Sequence, residues 1–145
     1  MANRSFADVQ ALAKEVKLIA GRVSLGTAGA PTIATVTVNG QSVPDGVGFS
    51  VGGPADTGSA GTYYIQLDDI YSGLLFASAS FHRLSTGDEL RGSVKSHYET
   101  GTEDTDSKKV YIEFFDSAAD PAQTTPTTGS EFTFLFVLRN SSVVF

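Results

Sequence analysis

The last strand-like segment constrains the fold most. In Glu131–Arg139, Phe132, Phe134, Phe136 and Leu138 fall at every second position, with Leu135 and Val137 between them. Side chains alternate faces along a strand, so a period of two belongs to β-structure. Apolar residues on both faces place this strand inside a sandwich or under a partner. The chain must therefore build a second layer to cover it.

Other segments repeat the pattern. Lys17–Leu25 alternates Ile19, Gly21, Val23 and Leu25, and Val110–Phe115 sets Val110, Ile112 and Phe114 on one side. Thr32–Val38 is rich in β-branched residues, which suits a strand. Asn39-Gly40 follows it and predicts a type I′ hairpin returning through Gln41–Val43. Val47, Phe49 and Val51 alternate, and Thr62–Leu67 reads as a strand. Leu74–Phe81 divides into Leu75, Ala77, Ala79 and Phe81 against Leu74, Phe76, Ser78 and Ser80. Arg91–Tyr98 is polar enough for an edge. Small-residue, glycine-rich, acidic and proline-containing loops fill Gly26–Pro31, Gly52–Gly61, Glu99–Lys109 and Ser117–Ser130. About eight to nine strands, with turn signals roughly every 8 to 12 residues, predict a mostly β fold. The expected architecture is an antiparallel β-sandwich, jelly-roll-like, with an up-and-down barrel as the alternative.

The N-terminus has a different period. Ser5 can cap a helix, Asp8 suits its positive end, and Phe6, Val9, Ala13 and Val16 follow one helical face with Leu12 beside them. The expected organisation is an N-terminal helical arm over 1–16 and a β-sandwich domain with a C-terminal tail over 17–145. A helix of about three turns is too short to stand alone, so it must pack on its own domain or a neighbour. The same holds for the apolar end Val143-Val144-Phe145, which costs solubility if left in water. The expected interface residues are Phe6, Val9, Leu12 and Val16 on the arm, and Val143, Val144 and Phe145 at the end.

Residue chemistry points away from catalysis. The 145 residues contain no cysteine, which excludes a disulfide framework, a thiolate metal site and a cysteine nucleophile. Lys+Arg 10 against Asp+Glu 16 gives a net charge of -6, the wrong sign for a general nucleic-acid binder. No signal peptide or membrane-length apolar run is present, so the expected site of synthesis is the cytoplasm. His82 and His97 lack metal-ligand spacing, and the loop with Glu99, Glu103, Asp104 and Asp106 lacks the glycine and closing glutamate of an EF-hand. Asp68 and Asp69 are adjacent and suit a turn better than an acid/base pair. No nucleophile elbow, P-loop or dinucleotide-binding glycine pattern occurs. No catalytic, cofactor-binding or metal-binding residue is expected, and neither is enzyme activity. The phenylalanines are expected in the core, and Tyr63, Tyr64 or Tyr71 would be the stacking rings of a carbohydrate-binding module.

A resemblance adds what the patterns do not contain. The run Arg4–Leu12, then Lys14–Lys17, Val23–Gly26 and Gly29–Thr32, resembles small structural proteins of tailed bacteriophages. So do Tyr63–Tyr71 with Leu74-Leu75, and the ending Leu138–Val143. Some such proteins are head cement or decoration proteins. The resemblance implies a virion protein made in the host cytoplasm and placed on the outer surface of the head. It would form a dimer or trimer and bridge subunits of the major capsid protein, with no direct nucleic acid or membrane partner. A tail or baseplate structural protein is the alternative location.

Overall fold

The computed structural model describes residues 16–69, 71, 73–82, 91–95, 109–116 and 118–139. These residues are mostly β, in three antiparallel sheets. The strands are β1 (Val16–Leu25), β2 (Pro31–Ile33), β3 (Thr35–Val38), β4 (Gln41–Pro44), β5 (Phe49–Gly52), β6 (Thr62–Leu67), β7 (Gly73–His82), β8 (Arg91–Lys95), β9 (Lys109–Phe115) and β10 (Glu131–Arg139). One four-stranded sheet has the order β2-β1-β10-β7, the other β5-β6-β9-β8, and β3 and β4 form a separate hairpin. As expected for a polar strand, β8 takes an edge among the described strands.

One buried cluster draws on the inner faces of both four-stranded sheets. Phe132, Phe134, Phe136 and Leu138 of β10 are buried, as are Tyr63, Ile65 and Leu67 of β6 and Val110, Ile112 and Phe114 of β9. Rings join one sheet to the other. Phe114 and Phe132 have centroids 5.4 Å apart, and Phe49 meets Phe134 edge-on at 4.8 Å and 86°. Such pairs contribute about 0.5–1.5 kcal/mol each beyond burial. The phenylalanines of β9 and β10 are thus core residues, except half-buried Phe115 on the outward side.

The structure corrects three expectations. Val16 does not end a helix. It opens β1 and pairs with Arg139. Residues 5–15 of the expected helix lie outside the described residues, and the only α-helix among those described is α1 (Pro54–Thr57), in the loop after β5. Its single turn forms because Pro54 fits the first helical position and the Asp56 carboxylate accepts the Gly53 N–H at 3.0 Å.

The expected strand over 32–38 breaks at Ala34. The Ala34 N–H donates to the Arg22 carbonyl and its own carbonyl accepts from Asp45, so the chain leaves β1 there and enters the hairpin. The expected faces of 74–81 fail at two residues, Leu74 and Leu75. Val137 pairs with Phe76 and Leu138 with Leu74, which leaves Leu75 as a bulge. That extra residue turns Leu74 inward and Leu75 outward, while Ala77, Ala79 and Phe81 pack on the core as expected.

Candidate functional site

Two surfaces carry chemistry that folding alone does not need. The first is the outer face of β2-β1-β10-β7. Alternation sends Ile19, Val23 and the β10 phenylalanines inward, so Leu18, Ala20, Leu135 and Val137 face out. Register then lines them up. Leu18, Val137 and Phe76 form one row across three strands, and Ala20, Leu135 and Ser78 form the next. Leu18 is 65% exposed, Phe76 53% and the bulged Leu75 49%. Two rows further, Ser24, Glu131 and His82 make the same face polar.

The β3–β4 hairpin extends this apolar character. Its turn has φ 50 at Asn39 and φ 79 at Gly40, the two positive values that a type I′ turn requires and that Asn-Gly supplies readily. Register puts Val36 and Val38 on one side with Val43, and Val36 and Val38 are exposed. Arg22 holds the base. Its Nε lies 3.0 Å from Asp45 Oδ2, its Nη1 3.7 Å from Glu131 Oε2, and its Nη2 donates to the Thr35 carbonyl.

The second surface is a cleft of about 470 Å³ on the outer face of β5-β6-β9-β8. Thr62 and Tyr64 of β6 and Lys109, Tyr111 and Glu113 of β9 line its floor, and Asp56, Thr57 and Ser59 line the side formed by α1 and the residues after it. The strand pairing Tyr64 with Tyr111 and Thr62 with Glu113 fixes the floor. Thr57 Oγ1 donates to the Thr62 carbonyl, Ser59 Oγ to Gln123 Oε1, and Gln123 Nε2 to Thr62 Oγ1. The Tyr64 ring lies against Gly52, where an added Cβ would run into the ring. Lys109 Nζ stands 4.7 Å from the Tyr64 ring centre, within cation–π range. The Tyr111 ring lies 6.1 Å from it at 61°. Glu113 is only 7% exposed.

Of the expected interface residues, Val16 is half-buried at the start of β1, beside the apolar row. Phe6, Val9, Leu12, Val143, Val144 and Phe145 lie outside the described residues, as do His97 and the acidic loop residues. His82 is exposed, with Nε2 3.1 Å from Thr133 Oγ1. Asp69 pairs with Lys17 at 3.6 Å, and the Tyr71 hydroxyl, then Asp69, hold the Lys17 ammonium above the ordinary lysine range. Among the described residues no group of three or more His, Cys, Asp or Glu can hold a metal ion.

The tyrosines divide. Tyr63 and Tyr71 are buried and cannot stack on a ligand, while Tyr64 lines the cleft floor. Burial pushes the Tyr63 hydroxyl up to about 12, and it has no hydrogen-bond partner among the described residues. Sequence reasoning missed Tyr111 and Glu113. Their signal was their place on the polar face of Val110–Phe115, opposite Val110, Ile112 and Phe114. The chain matches no protein-family model, no curated protein and no solved structure.

Proposed function

We propose that the chain is a virion structural protein of a tailed bacteriophage, a cement or decoration protein on the outer surface of the head. It acts by adhesion and not by catalysis. Its partners are the major capsid protein and further copies of itself, as a dimer or trimer. The observation that carries this reading is the row Leu18–Val137–Phe76. Four-strand sheets that face water normally alternate apolar-in with polar-out, and this one is apolar on both sides at one end. Contiguous exposed apolar surface marks an interaction site. The valine side of the projecting hairpin supplies a second contact. Modest contacts repeated over a lattice hold adjacent subunits by multivalency.

The strand order supports a jelly-roll form of sandwich. An antiparallel ribbon folded over itself pairs β1 with β10 and β6 with β9. Rolling that ribbon lays β7 beside β10 and β8 beside β9, which is the observed order. Jelly rolls recur in viral capsid domains.

The test is attachment to purified phage heads, compared with purified tails. The wild-type chain is expected to bind heads, and Leu18→Asp and Phe76→Asp are each expected to lower binding more than tenfold. Binding to tails alone would move the protein to the tail or baseplate. Unchanged binding by both variants would remove this face from the interface.

A further inference from the structure

The cleft on the other four-stranded sheet is not used by the assembly reading. We propose that it is a binding site for a neutral saccharide. Three features of the cleft support this.

The first is functional-group chemistry. A sugar hydroxyl donates one hydrogen bond and accepts others, so it needs acceptors and donors side by side. The cleft offers carboxylates at Asp56 and Glu113, an ammonium at Lys109, phenols at Tyr64 and Tyr111, and the hydroxyl-bearing Thr57 and Ser59. The Tyr111 ring in the lining adds surface for the C–H face of a sugar ring. The second is charge. Two carboxylates against one ammonium make a poor receptor for phosphate or for a nucleic-acid backbone. A mixed, hydroxyl-rich wall suits a ligand with no net charge.

The third is rigidity. Tyr64 is held between the Gly52 backbone and Lys109, and Thr57 and Ser59 are tied to the floor through Thr62 and Gln123. A wall already fixed in place loses little freedom on binding, which favours affinity. A volume of about 470 Å³ lies within the range of small-ligand sites. Glu113 adds to the argument through its position. Its carboxylate belongs to the cleft lining, on the same strand face as Tyr111.

The expected ligand is a mono- or oligosaccharide without acidic groups. On an assembled particle, many copies would give a weak site high avidity for a glycan-coated surface. The inference does not rest on the assembly reading, because the two surfaces lie on different sheets.

The experiment titrates the full chain with a panel of neutral mono- and oligosaccharides and maps backbone amide shifts. The expected result is saturable binding to at least one of them, with shifts confined to residues 50–66 and 109–116. Glu113→Gln and Tyr111→Ala are each expected to weaken it tenfold or more, while Phe76→Asp leaves it unchanged. The wild-type shift map needs no variant and so decides the site even if a variant fails to fold. Silence across the panel would overturn the proposal. So would shifts centred on the other sheet, or binding restricted to acidic glycans and lost with added salt.

Discussion

The two four-stranded sheets share a core but present opposite outer faces. On β2-β1-β10-β7 the outer positions hold Leu18, Leu75, Phe76, Leu135 and Val137. On β5-β6-β9-β8 they hold Thr62, Tyr64, Lys109, Tyr111 and Glu113. The inner faces must match because they fill the same space, so they report on folding. The outer faces have no such obligation, and their difference reports on what each meets. A leucine at 65% exposure gains little from the fold.

The comparison requires that core and outer residues respond differently to substitution. Phe132→Ala, in the ring cluster between the sheets, is expected to cost about 3–5 kcal/mol in denaturant unfolding. The exposed Phe76→Ala is expected to stay within about 0.5 kcal/mol. Equal losses would mean that Phe76 is a core residue and its face not a free surface.

A second test uses pH. Tyr63 keeps its proton up to about 12 when folded, whereas an unfolded tyrosine loses it near 10. Between those values the unfolded state binds fewer protons, so stability falls as pH rises. The loss attributable to Tyr63 is about 2–3 kcal/mol by pH 12, and full stability is present below pH 10. Tyr63→Phe is expected to remove that slope. At neutral pH the variant should be no less stable, because it deletes a buried hydroxyl without a partner among the described residues. A steep slope that survives the variant would place the alkaline sensitivity elsewhere.

A third test addresses the rigidity of the cleft. Gly52→Ala is expected to cost about 1–3 kcal/mol, by pushing the Tyr64 ring off its seat. It should also shift the Tyr64 and Tyr111 ring resonances. An unchanged spectrum would mean that Tyr64 has another place to rest.

Much of the framework was legible in the sequence, and the failures have common causes. The alternation of Phe132 to Leu138, the strand at Thr62–Leu67 and the Asn39-Gly40 turn are local facts, set by side-chain parity and backbone preference. Leu75 shows the limit. A bulge is decided by the partner strand, and nothing in Leu74-Leu75-Phe76 shows which residue will be the extra one. The hairpin exit at Ala34 depends on hydrogen bonds to Arg22 and Asp45, neither adjacent to it. Asp56 and Pro54 did carry a helix signal, but one turn inside a glycine-rich loop is too short to show a period. The cleft was least legible, because Tyr64 and Tyr111 meet only through the pairing of β6 with β9. Adjacent positions on a strand put Tyr63 and Tyr64 on opposite faces, a distinction the sequence reading did not draw. That parity could not say which of them faced the core.

Imaging the intact virion at side-chain resolution tests the central claim most directly. The account predicts this chain on the outside of the head, with Leu18, Phe76 and Leu135 buried against a neighbouring subunit. Finding that face open to solvent in the assembled particle, or finding no copy of the chain in it, would contradict the account.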